Sequence, residues 1–133
     1  MSRGSSGSPW ERFTGSRDRR LAWATGVAAV LWIACVGPVR TWALDMGIRS
    51  HWFFGIAPSL FAGTTFAMWQ MLVSRTSPLP SVMYGVVLCA LAEAVQLAMP
   101  RATADPLDAL AGAIGAVLAL PILLWRWPAV RST

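Results

Sequence analysis

Residues 81–125 read SVMYGVVLCALAEAVQLAMPRATADPLDALAGAIGAVLALPILLW, two apolar runs joined by the short connection PRATAD (100–105) and Pro106. Each run, 81–99 and 107–125, is long enough as a helix to cross a bilayer core of about 30 Å. So short a connection obliges the two helices to be antiparallel neighbours. Small residues recur at every fourth position, Ala90, Ala94 and Ala98 in the first run and Ala111, Gly115 and Ala119 in the second. Lipid tails are as apolar as leucine, so close backbone approach over small residues must supply the association that the hydrophobic effect supplies in water. The two runs are therefore expected to pack on each other.

Two further apolar stretches lie upstream, at 21–37 and 52–73. The chain has 133 residues, 56% hydrophobic and 13% charged, with eight Trp. A soluble domain carries roughly 25% charged residues. The expected class is thus an all-α polytopic membrane protein, a bundle of four transmembrane helices in one domain, 21–133. It follows a polar, Arg-rich tail over 1–20. No internal repeat is present, which argues against a transporter.

The first stretch, LAWATGVAAVLWIACVG, is expected to stop at Gly37 and Pro38, with 38–51 as a connection. It follows a twin Arg, but Trp32 stands where a lipoprotein cleavage site carries Leu and no A-x-A follows, so an uncleaved span is favoured. Pro58 is expected to kink or begin the regular helix of the second stretch. Pro78 and Pro80 make 74–80 a turn before the third.

All eleven basic residues are Arg, and the net charge is +5. Position argues against a nucleic-acid partner. With four spans, eight Arg fall on one side and only Arg40, Arg49 and Arg101 on the other, which places both termini in the cytoplasm. Arg17, Arg19 and Arg20 adjoin a membrane segment and are expected to meet anionic lipid. Ser8, Pro9 and Glu11 read as the start of a short interfacial helix carrying Trp10 and Phe13 on one face; the competing reading is a flexible tail.

Polar residues inside the spans are few. Glu93 and Gln96 project from one face of the third stretch, at a depth where a charge costs about 2.5–3.5 kcal/mol. Three arrangements lower that cost: protonation of Glu93, a pair with Arg101, or hydrogen bonds to Gln96 and the fourth stretch. Asp105, Pro106 and Asp108 have the spacing of an N-cap, a first-turn proline and an acid favoured by the helix dipole. The structural reading makes these residues the glue of one hairpin. The functional reading makes Glu93, Gln96, Arg101, Asp105 and Asp108 a binding site at the outer boundary, which His51 approaches if the second and fourth stretches pack together. A lone His at an interface is more often an anchor than a base. No nucleophile with a neighbouring base is apparent, so catalysis has no support. One His and two Cys, Cys35 and Cys89, leave no metal-ligand spacing, and no cofactor is expected.

The run from Glu93 to Ala119 resembles the signature of the VanZ-like membrane family: a Glu, a Gln three later, an Arg, then two Asp opening a helix rich in small residues. Glu93, Gln96, Arg101, Asp105, Asp108 and Gly115 stand at the corresponding positions, and His51 matches a family His. Gly112 replaces a frequent Asn, and Gly47 and Ile48 replace an Asp-Lys. The resemblance implies a bacterial inner-membrane protein with no settled reaction or cofactor. One branch of the family is associated with reduced sensitivity to glycopeptide antibiotics such as teicoplanin. Two functions are expected in order: a non-catalytic accessory subunit of a larger membrane complex, then an envelope protein that binds or modifies a lipid-linked substrate.

Overall fold

The computed structural model describes residues 19–48, 54, 56–99 and 105–131. Every regular element among them is a helix: α1 (Arg19–Val36), α2 (Pro38–Asp45), α3 (Ala57–Ser74), α4 (Pro78–Leu97), α5 (Pro106–Leu118) and α6 (Leu120–Arg131). Trp10, Phe13 and Arg17 lie outside the described residues, as do His51 and Arg101.

The prolines start helices. Pro38, Pro58, Pro78 and Pro106 all stand in a first turn, where the missing N–H is one the helix leaves unpaired anyway. Two expectations are corrected on that account. Residues 38–45 are helical instead of forming a connection, continuing from α1 across a break at Gly37, whose carbonyl accepts from Thr41 N at 3.0 Å. The helix of the third apolar stretch, α4, likewise begins at Pro78, before residue 81, with Ser81 N and Oγ both donating to Ser77 O. At the end of α2, Gly47 takes φ +74° while its N–H bonds Leu44 O and Ile48 N–H bonds Ala43 O. This is a Schellman ending, for which glycine is the favoured residue.

The helix at the centre is α3, which packs against α1, α4 and α5, while α4 also packs against α5. The expected pair is real, but it is one contact of several. At the end of the bundle where α1 starts, Leu21, Met68, Met71, Val82, Leu123 and Val130 form a buried cluster. Further along, Trp32 of α1 meets Phe66 of α3 edge-on at 5.3 Å. The outside is apolar: Trp23, Val30, Ile33, Met83, Val87, Leu91, Leu110 and Val117 are among many large side chains left exposed. Buried hydroxyls bond within their own helices, Thr25 to Leu21 O at 2.8 Å and Thr65 to Phe61 O at 2.7 Å. That is how polar side chains are accommodated where water is absent.

Three helical segments, Arg19–Asp45, Pro78–Leu97 and Pro106–Pro128, are long and apolar enough to cross a membrane. The central α3 is not among them. It carries Ser59, Thr64, Thr65 and Gln70, and its surroundings are chiefly other helices.

Candidate functional site: the helix crossing and its acidic end

Where α3, α4 and α5 meet, the helices touch through backbone. A Cβ at Gly63 would overlap the carbonyl of Gly112, one at Gly115 would overlap that of Leu60, and one at Gly112 would lie 2.5 Å from Cys89 Sγ. Thr64 joins the crossing, its Oγ1 lying 3.0 Å from Leu60 O and 2.8 Å from Gly115 O. The second of these bonds runs between helices.

Ala111, Gly115 and Ala119 are buried, as are Gly112 and Ala116 beside them. On α4 the small face is displaced by one residue from that expected. Ser81, Gly85 and Cys89 turn inward at four-residue spacing, whereas Ala90, Ala94 and Ala98 are exposed. Small residues occur every fourth position on both lines, so spacing alone cannot choose between them. The inward line is the one that starts at Ser81, whose hydroxyl lies 2.9 Å from that of Thr76, and ends at Glu93.

Glu93 is half-buried at the far end of this line. Its Oε2 accepts from Asp105 N at 3.1 Å, and its Oε1 lies 3.4 Å from Gln96 Nε2, a long and weak contact. Asp105 in turn caps α5, Oδ1 accepting from Leu107 N at 2.9 Å. Asp108, one turn inside α5, lies within electrostatic reach of both Glu93 and Asp105. Three carboxylates are thereby gathered where α4 ends and α5 begins. Of the five residues of the expected cluster, Glu93, Gln96, Asp105 and Asp108 lie at this end, and Arg101 is outside the described residues. The second and fourth stretches do pack together, the condition for His51 to approach, although His51 itself is outside the described residues.

Chemically, this end offers hydrogen-bond acceptors. Among the described residues there is no group of three side chains able to hold a metal ion. Gly112 is closed by Cys89 and leaves no room for a larger side chain. The sequence reading missed Gly63, Thr64, Gly85 and Cys89. Their signal was the spacing Ser59, Gly63, Ala67 in the second stretch, the same four-residue rhythm found in the third and fourth.

At the opposite end sit most of the described cations, Arg40 of α2 excepted. Arg20 and Arg126 place their guanidinium carbons 5.8 and 5.3 Å from the centre of the Trp125 ring, which brings the start of α1 to α6. Arg19 is exposed beside them, and Arg75 ends α3 in a left-handed conformation, φ 52°.

Fold and site together define a helical protein with an apolar exterior, segments able to cross a membrane, and charge of opposite sign at its two ends. No family model, curated protein or solved structure matches the chain.

Proposed function

We propose that this chain crosses the bacterial inner membrane four times and serves as a non-catalytic accessory or structural subunit within a larger membrane complex. The observation that carries the reading is the exposed line Ala90, Ala94, Ala98 on α4. Much of the remaining outer surface carries large apolar side chains, among them Val30, Ile33, Met83, Leu110 and Val117, which suit lipid. A row of small side chains gives lipid nothing, yet it lets another helix approach closely. The fourth crossing is assigned to α3, whose 18 residues extend about 27 Å and whose lower hydropathy suits a helix surrounded by others. The end bearing Arg19, Arg20, Arg75 and Arg126 is assigned to the cytoplasmic face, with both termini.

Gentle detergent extraction followed by native sizing tests this. The chain is expected to co-migrate with other membrane proteins, and Ala94→Phe to release it without lowering its accumulation. A solitary species, or an Ala94→Phe variant that stays in the complex, contradicts the proposal.

The gathered acids Glu93, Asp105 and Asp108 support a second reading, an envelope protein that binds or modifies a lipid-linked substrate, in line with the VanZ-like resemblance. It requires Glu93→Gln to abolish a phenotype, glycopeptide sensitivity included, while the protein still inserts.

A further inference from the structure

We propose that Arg20 and Arg126, both stacked on Trp125, form a binding site for the phosphate of an anionic phospholipid. The inference rests on the membrane reading above and assigns a specific ligand to its cationic end. Both guanidinium groups lie within 6 Å of one indole. Each gains from the ring, yet the two cations repel one another, and no described carboxylate stands at this end to separate them. The Nε of Arg126 is buried and has no hydrogen-bond acceptor among the described residues. A guanidinium with one donor shielded and unpaired is left under-satisfied, and a phosphate oxygen is the acceptor that its outer N–H groups fit best.

Arg19 and Arg20 also stand in the first turn of α1, where a cation opposes the helix dipole, so helix stability does not account for them. The apolar surroundings suit the rest of a lipid. Arg19 heads a groove of about 750 Å³ whose lining includes Trp23, Gly26, Val30 and Leu31. Ile122 and Leu124 are exposed on α6 beside Trp125. A diacyl chain lying along these side chains would hold its phosphate at the level of the arginines and tie the first helix to the last.

The test uses the full chain in detergent micelles, with native mass spectrometry after addition of phosphatidylglycerol, phosphatidylcholine or inorganic phosphate. The wild-type chain is expected to retain phosphatidylglycerol in preference to phosphatidylcholine. Arg20→Gln/Arg126→Gln should lower that retention about tenfold or more, and the exposed Arg20→Gln alone several-fold. Arg75→Gln, at the same end but not stacked on Trp125, should leave it unchanged. The proposal is overturned if the double variant keeps the preference, or if millimolar inorganic phosphate displaces the lipid, which would make the ligand a free anion. An alkaline carbonate wash separates the two levels: a wild-type chain that washes off membranes defeats the membrane reading, whereas one that stays while Arg20→Gln/Arg126→Gln keeps the wild-type preference for phosphatidylglycerol defeats this site alone.

Discussion

A methyl group at residue 63 has nowhere to go, because the carbonyl of Gly112 occupies its place and backbone cannot swing aside as a side chain can. Gly63→Ala is expected to separate α3 from α5 and to cost about 1–3 kcal/mol or more, read as a lowered midpoint of thermal unfolding in detergent. Gly26, also in a helix, has open space around its Cβ position. Gly26→Ala should therefore stabilise by about 0.5–1 kcal/mol in the same assay, through backbone entropy. Thr64→Val removes the bond to Gly115 O and should cost about 0.6 kcal/mol, with an upper range near 1.7, small because the unfolded chain in a membrane also finds partners. At this scale the sequence was informative about chemistry and silent about phase. It disclosed that Glu93 needs a partner and that Asp105 begins a helix; that the backbone of Asp105 is the partner depends on how α4 and α5 dock. The small-residue line of α4 shows the same limit, since the period was legible and the choice between Cys89 and Ala90 required knowing where Ser81 and Glu93 point.

Helix boundaries come next in scale, and here local rules decide. Asp105→Ala deletes the only side-chain cap described on α5 and should lower stability by about 1 kcal/mol. Asp105→Asn keeps an acceptor and should behave like the wild type, which circular dichroism melts of the two variants would check. Arg75 ends α3 at φ 52°, a conformation that penalises any residue with a Cβ. Arg75→Gly is expected to raise the unfolding midpoint modestly, by about 0.5–1 kcal/mol after the added freedom of the unfolded chain is subtracted. The sequence located the breaks at Gly37, Pro58 and Pro78 correctly, because proline and glycine act locally. It misjudged the residues just after Gly37 and Pro78, which are helical. A proline bars a helix from arriving and favours one departing, and only the second property operates at Pro38 and Pro78.

For the molecule as a whole, the separation of charge is the feature with the plainest consequence for topology. If the arginine end faces the cytoplasm, Ser5→Cys and Ser132→Cys should both react with a membrane-impermeant maleimide only after the inner face is opened. The native Cys35 and Cys89 are buried and should remain unlabelled. Labelling of the two termini from opposite sides would remove the four-crossing layout. Helical class and apolar outline were readable from composition and run length alone. The central position of α3 was hidden, because a modest hydropathy does not by itself tell a helix enclosed by other helices from one that faces water.

That same modest hydropathy bears on biogenesis. A segment with two adjacent threonines, a glutamine and little surplus greasiness makes a poor stop signal for the translocation channel when it emerges alone. The layout proposed for this chain then requires α3 to wait, partitioning sideways only once the hairpin synthesised after it arrives to shield its hydroxyls. A nascent chain truncated at Ser77 should accordingly leave this segment outside the bilayer in a glycosylation-mapping assay, whereas extension to Thr133 should draw it in.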